Sequence, residues 1–437
     1  MERRGAPAVV GGLGTGATAA VDDAGVVVDP QRGRTLGFWL GVDGAWLDPA
    51  ELSGRRQRLA APAPVVETSV PVPSGEALHR VYGVASPPGL VVVEIENRSP
   101  GPLSVALVLR PTAVKRKGEI GVAGSVVTVG RRPALVLPRA PLRWAVGDDP
   151  SGGARRAVLG GEASDGPFVA TRSKRLLEAA FVYPVPHRTT LRAALVTRPL
   201  DGAARVDVGA LPDVGEVARG WTAVLGSGMR TELPDPVQEG VDAARAALLL
   251  ASGRAKPSPE LVVALEDWGF DDEAAAAWAR SGVRARRRAS RRAAVPSSAW
   301  ARAATHLAAA SPARAFPGGP AAFLAAVRDL LLVDAGTHVE LAPGFPSSWL
   351  GADVALHDAP TRAGRVSFAL RWHGPRPALL WEAPDGLRCT APALDPSWSA
   401  TGGAGEALLA APEPTLLSMG PQPDRNGDAV DDPGSFS

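Results

Sequence analysis

Hydrophobic and polar residues alternate with a period of two along much of this chain, as in β-strands that bury one face. The clearest case is the segment 365–373, where Val366, Phe368, Leu370 and Trp372 fall on one side. Serine, alanine, arginine and histidine occupy the other side. We predict a strand here whose apolar side faces a core.

The first 228 residues contain many short apolar runs separated by glycine, proline, asparagine and aspartate. Short strands at this spacing, without helical periods between them, predict a large antiparallel β-sandwich in residues 1–228. The predicted strands are 24–29, 35–42, 65–72, 91–96, 103–109, 125–129, 134–137, 181–183 and 190–196.

The apolar period changes to that of a helix near Asp235, an N-cap residue that precedes Pro236. Residues 229–336 are therefore predicted to form a short α-helical domain of about five helices. The predicted helices begin at Asp235, Ser258, Asp271, Pro296 and Gly318.

The period returns to two after this region and predicts a small C-terminal β-sandwich module in residues 337–414. Pro384, Asp385 and Gly386 predict a turn between two of its strands. The predicted strands are 337–341, 354–357, 365–373, 378–382 and 387–390. A polar tail, 415–437, is predicted to be disordered. The predicted fold class is thus a multidomain α+β protein.

Composition excludes several functional classes. The chain has 437 residues, is 45% hydrophobic and 21% charged, and carries a net charge of +2, so nothing demands a nucleic-acid or membrane partner. Its one cysteine, Cys389, excludes an internal disulfide and a thiolate metal cluster. We predict no metal and no cofactor. The N-terminus is a poor secretory signal and no long apolar run occurs, so we expect a cytoplasmic protein.

Four segments resemble, in chain order, parts of the six-hairpin glycosidases, which include glucoamylase-like, debranching-enzyme-like and rhamnosidase-like proteins. FVYPVPHRTT at 181–190 resembles the end of their N-terminal sandwich, and DPVQEGVDAAR at 235–245 resembles their first barrel helix. FLAAVRDLLL at 323–332 resembles the last barrel helix. LAPGFP at 341–346, with Trp349 and the strands to Glu382, resembles the closing β module. The resemblance implies a helical toroid between two β modules.

The helical region is too short for that toroid. Six helical hairpins need about twelve helices and about 300 residues, whereas the interval from Asp235 to Asp334 holds about five helices. We therefore predict a strongly shortened toroid. The expected protein is a non-catalytic or degenerate relative that binds a carbohydrate or a protein partner. An active glycoside hydrolase with a minimal barrel is the alternative, and the oligomeric state stays open.

Glycoside hydrolysis requires two carboxyl groups across the scissile bond. Glu239, Glu266 and Asp267 are the catalytic candidates, because Glu266 and Asp267 stand beside Trp268, whose ring could stack on a sugar. A solvated helix end with a core tryptophan explains the same residues. Arg371 and His373 are further substrate-binding candidates, and a solvated strand face is the structural alternative.

Two other clusters have a structural and a functional interpretation. The basic run 284–292 is either a solvated helix face or a binding surface for an acidic partner. A structural or interaction protein that uses this helix is the third hypothesis. Gly11, Gly12, Gly14 and Gly16 resemble a phosphate loop, but β-type sequence follows them and the Walker lysine is missing. We predict no specific nucleic-acid partner.

Overall fold

The computed structural model describes residues 7–60, 62–112, 118–148, 153–173, 177–200, 203–235, 237–281 and 319–412. The chain divides into two compact units. The first contains the described residues of Met1–Gly226, Arg245–Val262 and Asp272–Ala285, and the second those of Ser227–Ala244, Val263–Asp271 and Arg286–Ser437. The domain boundaries expected at 228, 336 and 414 stay predictions.

The first unit contains two nine-stranded antiparallel sheets. The strands of the first sheet are β1 Ala8–Gly11, β2 Thr18–Val21, β3 Val27–Asp29, β4 Arg34–Val42, β5 Ala45–Leu47, β10 Leu103–Pro111, β14 Arg143–Gly147, β15 Ser164–Asp165 and β17 Glu178–Val185. The strands of the second sheet are β6 Arg56–Leu59, β7 Val66–Val72, β8 Gly75–Val84, β9 Leu90–Asn97, β11 Gly118–Ala123, β12 Val126–Val129, β13 Arg132–Val136, β16 Thr171–Ser173 and β18 Thr190–Val196.

One hydrophobic core joins the inner faces of these two sheets. Phe38 and Phe181 of the first sheet pack in the same cluster as Val81, Val93 and Leu195 of the second. The alternation of inward apolar and outward polar residues produces this two-layer packing. The predicted N-terminal β-sandwich is confirmed.

The described residues contain six α-helices: α1 Gly153–Leu159, α2 Val214–Ser227, α3 Val237–Ser252, α4 Pro259–Asp267, α5 Asp271–Arg280 and α6 Gly319–Leu331. Four correspond to the predicted helices at Asp235, Ser258, Asp271 and Gly318. The helix expected from Pro296 lies outside the described residues. We did not predict α1 and α2, which fall in the region assigned to strands; α1 covers the outer face of the first sheet through Ala154 and Val158.

The second unit contains the third sheet, a seven-stranded sheet. Its strands are β19 Arg230–Glu232, β20 Leu332–Asp334, β21 His338–Leu341, β22 Val354–Thr361, β23 Gly364–His373, β24 Arg376–Ala391 and β25 Asp395–Leu408. Val366, Phe368 and Leu370 are buried and Trp372 is half-buried, which confirms the predicted inward side of β23.

Two features of the third sheet differ from the prediction. In the described residues these strands form one sheet and not two. The expected turn at Pro384, Asp385 and Gly386 lies inside the long strand β24, where the pairing with β25 shifts register between Ala383 and Arg388. Gly386 supplies the positive φ of 79° at this irregularity. A bulge uses the same residue types as a turn, so local sequence did not distinguish them.

The glycine-rich segment near the N-terminus is a packing element of the first unit. A Cβ on Gly83 would lie 2.0 Å from the carbonyl carbon of Gly11. A Cβ on Gly253, directly after α3, would lie 2.3 Å from the backbone nitrogen of Gly16. The neighbouring atoms are backbone atoms that cannot move aside singly. Close approach between backbone segments therefore explains the glycines at positions 11, 16, 83 and 253.

Replacing Gly253 with alanine is expected to lower the free energy of unfolding by about 1–3 kcal/mol, since the added methyl group overpacks a fixed contact. Urea denaturation measures the change. Gly220→Ala is the matched control, because no atom lies within 4 Å of a Cβ at that position of α2. Alanine there is expected to stabilise the helix by up to about 1 kcal/mol. Equal effects of the two substitutions would contradict the steric explanation.

Candidate ligand-binding cavity

A row of alternating charges crosses the outer face of the second sheet. Glu67, Arg80, Glu94 and Arg192 stand directly opposite one another on β7, β8, β9 and β18, because the strand register pairs each with the next. Their neighbours along each strand point into the core. These four charged residues, one from each of four neighbouring strands, form a row across the sheet, which we call the charged row.

Each charge of this row has a partner of opposite sign. Arg80 Nε lies 3.1 Å from Glu67 Oε1, and its Nη1 lies 3.8 Å from Glu94 Oε2. Arg192 Nη2 donates to Glu94 Oε1 over 2.6 Å. Tyr82 also donates to Glu94 Oε1, over 2.6 Å. Burial, followed by this bond to a carboxylate, raises the pKa of the Tyr82 hydroxyl well above its usual value.

The charged row continues towards the end of the sheet through Glu96 and Arg98. Arg80 Nη2 lies 2.9 Å from Glu96 Oε2, and Arg98 Nε lies 3.0 Å from Glu96 Oε1. The hydrogen bond from Arg98 lowers the pKa of Glu96, although partial burial opposes the shift. The result is a stiff polar surface whose positive and negative charges largely cancel.

The segment 209–219, which contains the start of α2, lies beside the charged row and forms the wall of a cavity there. Arg192 Nη1 donates to the carbonyl of Leu211 over 3.0 Å, so the side chain that pairs with Glu94 also holds this segment. α2 begins with a capping box, in which Asp213 Oδ1 accepts from the backbone of Glu216 and Glu216 Oε2 accepts from the backbone of Asp213. The first of these bonds lowers the pKa of Asp213.

The second sheet and this wall border a cavity of about 620 Å³ that is open to solvent, which we call the sheet-face cavity. The charged-row side chains Arg80, Glu94 and Arg192 form its floor. The wall and rim consist of Thr190, Gly209, Asp213, Val214, Gly215 and Arg219. Its size lies within the range of about 300–1,000 Å³ usual for small-molecule sites. Fixed donors and acceptors in such a cavity suit a ligand rich in hydroxyl groups.

The six residues selected from the sequence all belong to the second unit, whereas the sheet-face cavity belongs to the first. Glu239 and Glu266 are exposed on α3 and α4, and Asp267 is buried at the end of α4. Their assignment as catalytic residues stays a prediction. Trp268 is completely buried, and its Nε1 donates to the carbonyl of Leu324 over 3.2 Å. Its ring therefore has no face open to a sugar.

Arg371 and His373 both lie on β23. The Nη2 of Arg371 lies 3.1 Å from Glu232 Oε2, and its Nε lies 3.7 Å from Asp353 Oδ2. His357 Nε2 contacts the other oxygen of Glu232 at 3.2 Å and is the largest cause of the lowered pKa of Glu232. His373 is exposed at the end of the strand. These contacts link strands at the surface of the third sheet.

Three other sequence predictions concern metal binding, membrane spans and the basic run. In the part of the chain that the structure describes, no group of three or more histidine, cysteine, aspartate or glutamate side chains is arranged to hold a metal. None of the described helices combines the length and apolar character needed to cross a membrane. The basic run 284–292 lies outside the described residues.

Sequence reasoning missed the sheet-face cavity, although part of its signal was present. The pattern Asp213-x-x-Glu216 is a capping box and would have predicted α2. The alternation of Glu94 and Glu96 with apolar neighbours was visible too. What the sequence lacked was the register that aligns Arg80, Glu94 and Arg192, which are far apart along the chain.

No protein-family model matches the chain, and no curated protein matches its sequence. Among solved structures it is similar to a bacterial glucoamylase complexed with acarbose, at 11% identity and a TM-score of 0.42, covering 63% of this chain and 50% of that one. It is also similar to an inverting mannosidase of family GH92 from Bacteroides thetaiotaomicron, at 11% identity and a TM-score of 0.36, covering 56% of this chain and 36% of that one.

The chain thus spans 50% of the length of the glucoamylase and 36% of the length of the mannosidase. At these scores neither comparison carries an argument about fold or chemistry. The shortened toroid stays a prediction.

Proposed function

We propose that this chain is a non-catalytic carbohydrate-binding protein whose ligand occupies the sheet-face cavity. The observation that carries the proposal is this cavity of about 620 Å³, whose lining includes arginine, carboxylate and threonine side chains. Sugar hydroxyl groups donate to carboxylates and accept from guanidinium groups, so a saccharide matches both signs of charge at once. The resemblance of the sequence to six-hairpin glycosidases supports the same class of ligand.

The charge balance favours a hydroxyl-rich ligand over a polyanion. Arg80 is surrounded by Glu67, Glu94 and Glu96, and Arg192 is paired with Glu94. A phosphate or sulfate would have to compete with carboxylates that already occupy these cations. A neutral saccharide adds hydrogen bonds without breaking the ion pairs.

Binding without hydrolysis is favoured by the contacts of Glu94, the carboxylate on the cavity floor. A glycosidase needs a carboxyl group that can give its proton to the leaving group. Glu94 Oε1 already accepts hydrogen bonds from Tyr82 and Arg192, and Glu94 Oε2 lies 3.8 Å from Arg80 Nη1. These contacts suit a fixed acceptor of hydrogen bonds.

The proposal is tested by measuring binding to a glycan array that includes α-glucans and rhamnose-containing glycans, followed by calorimetry on the glycans that bind. Arg219→Ala is expected to weaken binding about tenfold, because a hydrogen bond to a charged group contributes about 1.5–3 kcal/mol. Arg219 is exposed on the rim, so its removal leaves the core intact.

Arg205→Ala is the matched control, since Arg205 is an exposed arginine of the same unit that does not line the sheet-face cavity. We expect it to bind as the unchanged protein does. Absence of binding to every glycan would refute the proposed function. An equal loss in both variants would show that the sheet-face cavity is not the binding site.

A further inference from the structure

A second, smaller cavity of about 210 Å³ lies at the end of the sandwich, where β17 leaves the first sheet and β18 enters the second. Thr190, the first residue of β18, lines this end cavity and the sheet-face cavity alike. We propose that the two cavities are parts of one groove, whose occupant is a linear oligosaccharide and not a single sugar. This inference rests on the proposed function.

The small size of the end cavity favours the interpretation that it extends the sheet-face cavity and is not an independent binding site. At about 210 Å³ it is smaller than the roughly 300 Å³ at which small-molecule sites begin. The sheet-face cavity is large enough to hold most of a ligand. Because Thr190 is common to both, a chain that fills the larger cavity can continue into the smaller one.

The linings of the two cavities differ in charge. The sheet-face cavity offers charged groups to the hydroxyl groups of a sugar. Among the described residues that line the end cavity, Arg139 is the one charged residue, and Pro138 and Pro184 are exposed. Tyr183 is 2% exposed and its hydroxyl donates to the carbonyl of Arg139 over 2.8 Å, so it belongs to the core beneath this cavity. The proline rings can pack against the C–H face of a terminal sugar.

The junction between the cavities is held rigidly by Asn97. This residue is fully buried, and its Nδ2 donates to the carbonyl of Val185 over 2.9 Å. Its backbone nitrogen donates to the carbonyl of Thr189, and its carbonyl accepts from the backbone of Arg188, each over 3.0 Å. These bonds fix the turn that leads into Thr190. A preorganised corner lets a long ligand bind with a small loss of conformational entropy.

The test is calorimetric titration of the full chain with linear oligosaccharides of one to six units, in every linkage that the array contains. We expect affinity to rise at least about tenfold between one and about four units and then to level off, as the groove fills. Equal affinity for one unit and four units, with binding preserved, would overturn the extended groove while leaving the proposed function standing. Absence of binding at every length would overturn both.

A variant of the end cavity separates its contribution from that of the sheet-face cavity. Pro138→Trp places a large side chain at an exposed lining position. We expect it to lower the ratio of four-unit to one-unit affinity at least about fivefold. Pro100→Trp, at an exposed proline outside both cavities, is the control and is expected to keep the ratio. An unchanged ratio in Pro138→Trp would contradict the assignment of the end cavity.

Discussion

Replacing Asp29 with alanine is expected to lower the free energy of unfolding by about 3–5 kcal/mol, the usual cost of leaving one charge of a buried pair alone. Asp29 is fully buried at the end of β3, and Arg34, at the start of β4, is 4% exposed. Arg34 Nε lies 3.3 Å from Asp29 Oδ2. Arg34 also donates to the carbonyl of Val196 in the second sheet.

The pKa of Arg34 shows that burial disfavours its charged form and that Asp29 offsets part of this effect. Burial lowers that pKa, and the neighbouring Asp29 carboxylate partly restores it. Without Asp29, the Arg34 guanidinium would still be buried away from water, but no carboxylate would stabilise its positive charge. The double variant Asp29→Ala/Arg34→Met removes both charges, and we expect it to be more stable than Asp29→Ala alone.

Urea denaturation of the single and double variants measures this coupling. Asp165→Ala serves as the surface control, because its pair with Arg143 spans 3.8 Å and Asp165 is 82% exposed. Its removal is expected to change stability by less than about 1 kcal/mol. Additive effects of the Asp29 and Arg34 substitutions would contradict the interpretation of the pair as mutually dependent.

Acid is expected to destabilise the first unit through His79. This residue of β8 is 1% exposed and stacks on Phe38 with ring centroids 4.5 Å apart. Its Nδ1 has no hydrogen-bond partner among the described residues. Burial lowers the pKa of His79 from 6.5 to about 3, because the imidazolium would be desolvated between the sheets.

The sign of the pH dependence follows from this lowered pKa. The unfolded chain binds a proton at His79 below about pH 6.5, whereas the folded chain does so only near pH 3. The contribution of His79 is therefore fully present above pH 6.5 and is lost as the pH falls towards 3. At about 1.4 kcal/mol per pH unit, the loss between pH 7 and about pH 4 is about 3 kcal/mol.

His79→Leu removes this titration and is expected to flatten the stability profile by that amount. Urea denaturation at the two pH values, followed by hydrogen exchange of β8 and β9 amides, measures the change. His373→Leu is the control, because His373 is exposed. Should both variants keep the acid sensitivity of the unchanged protein, the buried imidazole would not be its source.

The elements that the sequence predicted well are those whose local pattern and burial agree. The strands near 35–42, 103–109 and 190–196 became β4, β10 and β18. In each, every second side chain packs in the core between the two sheets, and the apolar run in the sequence contains this period of two. The helix predicted from Asp235 and Pro236 carried a capping signal that was equally local.

The elements that the sequence predicted poorly depend on distant contacts. No residue of β25 is fully buried, and the strand is rich in glycine, yet it pairs with β24 over most of its length. Its half-buried positions include aspartate, glycine and alanine, so no strong apolar alternation marks the strand. β24 was divided at a predicted turn because a bulge and a turn share residue types.

The sequence by itself determined that the chain is an α+β protein with an N-terminal sandwich, since burial of alternating apolar residues is a local consequence of strand geometry. Only the tertiary structure decided which polar side chains come together. The charged row requires the register of β7, β8, β9 and β18, and Thr190 joins two cavities only through the corner held by Asn97. Register and corner are set by contacts across the sheets, which no local pattern contains.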